Sequence, residues 1–467
     1  MKKFVVFKWL LLFVPFTMIF AGCASEDTSS KNSEAYVKQN ENNTKKVSLD
    51  MYLSDMLSRI SKNWNYVDKI WANTSYKNHN VVLFYLDPKG NVERGFLLNV
   101  SQTRPIELKA NEWKGVTVPT VNGYAKTNFK GTPSISLAID KTTLEESDLR
   151  KENTSYDLAS HELFHFYHQD NIPGNEENDR SSSYPIDYKP RLYRKMLFIN
   201  LKKAFKNKEE SSSYLGKAKY WYDKWKNEYS KEVKKIHYTD IAEGSAKYFE
   251  ILVNVAGQLG NKNINNLDIS YFVNQLNSLS GTIDNESYSI GAMSGLILSQ
   301  KNINWTETFF AKNQTSAELL LENVESITDV ADEQIENDLK KVASDINDKN
   351  KEKMDSVDKF LNDKSIPGII LSNSSEDSFE VSESLKYKSK TIYTGYTRSF
   401  QNTKQNFLKN VTAIEEGENI LIPLTDKYSY LNGKLSIKSQ SINLDIDAKE
   451  KTDNFGRKIF VIDENLR

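Results

Sequence analysis

Polar and apolar positions alternate with different periods along the chain, and the period changes mark its elements. Tyr52 to Trp64, "YLSDMLSRISKNW", has apolar residues at three- and four-residue spacing, which predicts a helix. "NVVLFYLDPKGNVERGFLLNV" predicts two strands around the turn Asp87-Pro88-Lys89-Gly90-Asn91. Residues 47–150 therefore read as a β-rich N-terminal region. Helical spacing takes over from Tyr156 to about Phe310 and includes the amphipathic stretch "YLGKAKYWYDKWKNEYSKEVKKI", so residues 151–316 form a helical domain. Residues 317–366 are charged with an apolar position every third or fourth, the pattern of one or two surface helices, and Pro367-Gly368 ends them. Residues 367–467 hold short alternating runs such as "SFEVSESLKY", "NILIPL" and "KLSIKSQSINLDI", a small β-rich domain. The fold class expected is α+β, mainly helical in the middle, and no period of a solenoid or propeller appears.

The N-terminus follows a different logic. In "MKKFVVFKWLLLFVPFTMIFAGC", Lys2, Lys3 and Lys8 precede an apolar run from Trp9 to Phe20 and the small residues Ala21 and Gly22, the order of a secretory signal over residues 1–22. The run is shorter than the roughly 20 residues of a membrane span. Cys23 directly follows, and the junction resembles the lipobox of bacterial lipoproteins. That resemblance implies lipid attachment at Cys23 and a mature protein anchored to the extracytoplasmic face of the bacterial cell membrane. Residues 23–46 are rich in Ser, Asn, Lys and Glu and read as a flexible tether. Cys23 is the only cysteine, so packing rather than an intramolecular disulfide must stabilise the fold.

Charge removes one class of partner. The 467 residues carry 62 basic against 63 acidic side chains, a net charge of −1, which excludes an electrostatic nucleic-acid binder. A hydrophobic fraction of 38% suffices for a sizeable core.

Three of the five histidines fall inside "SHELFHFYHQD". His161-Glu162-Leu163-Phe164-His165 is an HExxH motif: on a helix, residues four apart stack one turn above each other, so both imidazoles point to one place, as zinc requires. Glu162 lies roughly 100° around the helix from His161 and can stand beside the metal as a general base without ligating it. Thr154 or Ser155 is placed to cap the helix start, and Pro173-Gly174 to end it.

Catalytic zinc takes three protein ligands. His168 and Asn171 occupy the positions where metzincins need Gly and His, and "GTIDN" from Gly281 is one residue short of the aspzincin pattern. "YTDIAEGSAKYFEILVNVAG" offers Glu243 on a later helix, with Gly244, Ser245 and Ala246 small enough for close helix approach. HExxH followed by this EGxAxY run resembles the gluzincin zinc metallopeptidases over roughly His161 to Tyr288. The resemblance implies His161, His165 and Glu243 as Zn2+ ligands and Glu162 as the catalytic base. Other roles stay open: Asp240 to Glu243 also fits a capping box, and Glu250 on the same face is an alternative ligand or a partner of one. His168 is either a group near the site or packing, and His237 or Tyr288 is a candidate to stabilise an oxyanion. "SSSYPIDYKPRLYRK" is a candidate loop over the cleft, with Arg191 or Arg194 available to a substrate carboxylate or to an internal ion pair, the ion pair being favoured.

Together these features predict a membrane-tethered zinc metallopeptidase that hydrolyses a peptide or protein substrate. A non-catalytic surface or envelope-assembly lipoprotein with a zincin-like fold is the alternative.

Overall fold

The N-terminal apolar stretch forms helix α1, Leu49–Asn63, which Ser48 caps by accepting the Met51 N–H. The computed structural model describes residues 46–169, 172–173, 179–259, 267–276, 283–301, 303–372, 381–400, 406–417 and 419–462. The signal segment, Cys23, nearly all of the tether and Gly174 lie outside them.

Strands β1 (Asn80–Leu86) and β2 (Val92–Leu98) pair antiparallel around the expected turn, where Asp87 Oδ1 accepts the amides of Lys89 and Asn91. With β3 (Ile106–Leu108), β4 (Tyr124–Phe129) and β5 (Thr132–Ile139) they make a five-stranded sheet in the order β3-β2-β1-β5-β4. β1 runs parallel to β5. Its run of apolar residues has a reason: Val81 and Leu83 face the main core, while Val82 and Phe84 meet Trp113 and Val116 on the other side. β4 is an edge strand.

Helix α2, Thr154–His168, carries the HExxH motif. Its cap is Asn153, whose side chain accepts the Tyr156 N–H. Thr154 and Ser155 are already helical, and their hydroxyls meet the Tyr52 hydroxyl instead. Trp64 Nε1 donates to Ser160 Oγ at 3.1 Å and the Tyr76 hydroxyl donates to the Ser160 carbonyl at 2.6 Å, so the N-terminal region fixes where α2 lies. The helices α3 (Tyr188–Lys206), α4 (Ser211–Glu228), α5 (Ser230–Asn254) and α6 (Ile283–Gln300) follow. The amphipathic stretch expected as one run is split between α4 and α5, because Tyr229 leaves helical geometry at φ −126° and ψ 40°. One buried apolar cluster joins α1, the sheet and α2–α6, so residues on both sides of position 150 share a core.

The fold class is α+β, as expected. The charged segment contains a short helix, Ser316–Leu321, and the 30-residue helix α7, Glu333–Asn362, about 45 Å long. Leu339 of α7 enters the main core, whereas Met354, Val357 and Phe360 pack on the C-terminal sheet. Among the described residues that sheet has 11 strands. It includes β6 (Ser182–Ser183), β7 (Gly368–Ser372), β8 (Glu383–Tyr387), β9 (Lys390–Ser399), β10 (Phe407–Glu416) and further strands up to Lys458–Ile462. No helix among the described residues is long and apolar enough to cross a membrane.

Helices α5 and α6 cross in close contact at Gly244 and Gly291. A Cβ built on Gly291 would come within 2.2 Å of Gly244 Cα, so only glycine fits at that contact. Gly244 thus serves the approach of α6 rather than of the HExxH helix, which corrects the sequence reading for that residue, while Ser245 faces the end of α2, where its hydroxyl accepts from Gln169 Nε2. Gly291→Ala is expected to cost about 1–3 kcal/mol by overpacking, read as a lower denaturation midpoint with an unchanged m-value.

Candidate metal centre

Three acceptor atoms converge where α2 crosses α5. His161 and His165 stand one helical turn apart, and Glu243 faces them from the interior of α5. His161 Nε2 lies 3.0 Å from His165 Nε2, and Glu243 Oε2 lies 3.3 and 3.1 Å from those two nitrogens. All three residues are buried, and theirs is a group that could hold a metal ion. For a tetrahedral ion with bonds of about 2.0–2.1 Å, neighbouring donor atoms stand about 3.3–3.4 Å apart. The observed spacings of 3.0, 3.1 and 3.3 Å reach that range at the upper end and are otherwise a few tenths of an ångström shorter.

The outward-facing atoms decide which nitrogens are available. His161 Nδ1 donates to Glu250 Oε2 at 2.9 Å, and His165 Nδ1 donates to Gln169 Oε1 at 2.7 Å. Gln169 has its own orientation set, because Nε2 donates to the Ala242 carbonyl at 2.8 Å and to Ser245 Oγ at 3.0 Å. Glu250 is held in turn by Lys247 Nζ, 2.5 Å from Oε1. With both Nδ1–H groups committed outward, the neutral imidazoles point their Nε2 lone pairs at the shared point.

Such a cluster demands positive charge. Burial pushes His161 down, but hydrogen bonds to Glu243 and Glu250 outweigh it and raise its pKa to about 10. Burial would raise Glu243, yet the charges of His165 and Arg180 and the hydrogen bond from His161 hold it well below the usual carboxylate range. In the ion-free frame a proton on His161 supplies the charge; a divalent cation is its natural competitor.

Glu162 is buried beside the cluster but is not a member of it. Burial raises its pKa, His165 and His161 oppose that, and the Tyr124 hydroxyl of β4 bonds to the carboxylate. Tyr288 of α6 stacks on His161 with ring centroids 5.7 Å apart. Arg180 donates from Nη1 to Glu243 Oε1 at 3.0 Å and from Nη2 toward the Tyr288 hydroxyl at 3.5 Å.

The other sequence candidates are distributed as follows. Glu243 is no capping residue: α5 begins at Ser230, and Asp240 accepts both terminal nitrogens of Arg194 at 3.0 and 2.7 Å. Glu250 sits seven residues on, about 10 Å along the helix, which brings it to the outer nitrogen of His161 rather than to the cluster. His168 is displaced from His161 by the same distance and packs against Tyr76 and His79, at 5.8 and 6.1 Å between ring centroids. Burial lowers its pKa to about 4. His237 faces away from the cluster because six residues before Glu243 is roughly 1.7 turns; its Nε2 meets the Asn313 carbonyl at 3.1 Å. Arg191 and Arg194 form internal ion pairs with Glu286 at 2.7 and 2.8 Å. "SSSYPIDYKPRLYRK" is not simply a loop, since it contains β6 and the start of α3.

Sequence reading missed Gln169, Arg180 and Tyr124. Gln169 stands four residues after His165, the spacing of one turn, and that was a usable signal. Arg180 and Tyr124 carry none, because their approach depends on chain distant in sequence.

No family model, curated protein or solved structure matches this chain. Any reading of the site therefore rests on its own geometry.

The raised pKa sets a pH dependence. A His161 proton held up to about pH 10, against an ordinary value of 6.5, stabilises the ion-free chain below about pH 6.5, and that stability is lost as pH rises through about 10. A metal ion held by His161 Nε2 would have to displace the same proton. If the cluster holds zinc, its apparent affinity is expected to rise about tenfold per pH unit between about 6.5 and 10, with about one proton released on binding in titration calorimetry across buffers of different ionisation heat.

Proposed function

We propose that this protein is a zinc-dependent peptidase of the gluzincin type, anchored by a lipid on Cys23 to the outer face of a bacterial membrane. The observation that carries the reading is the convergence of His161 Nε2, His165 Nε2 and Glu243 Oε2 within 3.0–3.3 Å, with Glu162 buried next to them and outside the group. A site that only holds an ion needs no carboxylate there. When bound, zinc supplies Lewis-acid polarisation of a carbonyl and lowers the pKa of water toward about 7.

The chain's own groups have separable tasks. Glu162 accepts a proton from the attacking water and returns it to the leaving amine, for which a carboxyl raised above the ordinary range by burial is suited. Tyr124, bonded to Glu162, orients it from the edge of the sheet. Tyr288, stacked on His161, has a hydroxyl able to donate to negative charge developing on a carbonyl oxygen. Edge strand β4 has no strand partner on its outer side among the described residues and touches α2 through Lys126 Nζ, which donates to the Phe166 carbonyl at 2.6 Å. An extended peptide pairing with β4 would lie alongside the HExxH helix, which favours a polypeptide substrate.

Glu162→Gln separates catalysis from metal binding. It is expected to keep zinc stoichiometry and melting temperature near the parent's while cleavage in a peptide-library digest falls at least about 10²–10⁴-fold. Equal digestion by parent and variant would transfer the activity to another site, and zinc binding without any cleavage by the parent would favour the surface binding-protein alternative. Glu243→Gln should lose zinc outright, whereas Glu250→Gln should retain one zinc with affinity lowered about 10–100-fold.

Anchoring is tested independently. Cys23→Ala is expected to shift the protein from the membrane fraction to the medium or to leave an unprocessed precursor, and unchanged membrane retention would refute lipid attachment.

A further inference from the structure

Arg180 reaches Glu243 from a strap, residues 179–187, between α2 and α3 in sequence. Towards the cluster, its guanidinium holds Glu243 Oε1 at 3.0 Å, which leaves Oε2 turned to the two histidines. Away from the cluster, the strap is bound to chain some 200 residues later. Ser182 and Ser183 pair in parallel with Leu385 and Lys386 as β6 on β8. Ser181 Oγ lies 2.7 Å from Ser384 Oγ, and the Tyr184 amide donates to the Lys386 carbonyl at 2.9 Å. Asn347 of α7 accepts the Ile186 N–H at 2.7 Å and donates to the Ile186 carbonyl at 3.1 Å, bonding both backbone groups of one residue. Asp179, beside Arg180, is shared between Lys235 of α5 at 3.3 Å and Lys386 of β8 at 3.0 Å.

These contacts form a continuous physical chain from the C-terminal sheet to the third candidate ligand. A two-residue strand gains little stability alone and is ordered by the sheet it joins. Glu243 needs its distal oxygen bound if the proximal one is to stay aimed inward. We infer that Arg180 is a positioning residue for Glu243 and that the C-terminal β region, by docking the strap, sets the metal affinity of a centre to which it contributes no ligand. This rests on the zinc reading above, and gives the C-terminal region a role at that site. Two effects oppose each other at Arg180: its positive charge disfavours a nearby cation, and its hydrogen bond orients the carboxylate. Orientation dominates in this inference, because partners behind metal ligands typically carry 10–100-fold in affinity.

The test is zinc dissociation measured by chelator competition on the full chain. Arg180→Ala should weaken binding about tenfold or more, and Arg180→Lys, which keeps charge but loses the fork, should recover part of the loss. The double variant Asn347→Ala/Lys386→Ala, in which neither replaced side chain touches the cluster, should weaken binding in the same direction and add nothing on an Arg180→Ala background. Ser181→Cys/Ser384→Cys should restore the affinity of that double variant when oxidised and lose the restoration on reduction. Parental affinity in Asn347→Ala/Lys386→Ala, tighter binding in Arg180→Ala, or simple multiplication of the two losses would overturn the inference. A parent chain that binds no zinc would defeat the metal reading itself, a separable result.

Discussion

Two imidazole nitrogens and a carboxylate oxygen held within 3.0–3.3 Å of one another in a buried place form an arrangement that a protein tolerates only with positive charge among them. Much of the surrounding structure answers to that constraint. Glu250 and Gln169 take the outer hydrogens of the histidines, Arg180 takes the distal oxygen of Glu243, and Lys247 compensates Glu250. Each partner is itself held by a further group, so the inner atoms have little freedom to turn away. A proton on His161 satisfies the constraint in one way and a divalent cation would satisfy it in another, so any metal binding here would depend on pH without an additional device.

Bringing the three groups together places demands on packing far from them. α5 must lie close to α2 on one side and to α6 on the other, and the Gly244–Gly291 contact permits the second approach. The buried charges of Arg194, Asp240 and Glu286 tie α3, α5 and α6 together at that crossing, with Arg194 also lying 4.5 Å from the Trp225 ring centroid. Such a network adds little net stability, because desolvating the charges offsets most of their attraction, but removing any one partner would leave an uncompensated buried charge. Trp64, just past α1, and Tyr76 brace α2 through hydrogen bonds to the Ser160 hydroxyl and carbonyl, one residue before the first histidine. The N-terminal sheet adds Tyr124 to the neighbourhood of Glu162.

The C-terminal region belongs to this account through the strap that carries Arg180. A sheet with its own apolar core lies beyond α7, and its strand β8 accepts two residues from the segment that delivers Arg180. The architecture therefore connects the C-terminal β region to Arg180 and the His161/His165/Glu243 cluster through backbone pairing, Asn347 and Asp179.

Local rules made much of this legible from sequence. Helical periodicity places His161 and His165 on one face and puts Gln169 one further turn along, while period-two alternation marks the β1–β2 hairpin and the C-terminal strands, because these patterns depend only on neighbouring residues. The α+β class, the HExxH helix and Glu243 as the residue opposite it were accessible in that way. Other features were not. Whether Glu250 ligates or supports depends on how far along α5 the crossing falls, and His237 faces away from the cluster for the same reason. The role of Gly244 depends on which helix lies against it, Tyr124 on the path of an edge strand, and Arg180 on pairing with chain some 200 residues away. Sequence by itself determined which groups could share a helix face; only tertiary packing decided which faces meet, since the distances between elements are set by side chains and loop paths that no local pattern records.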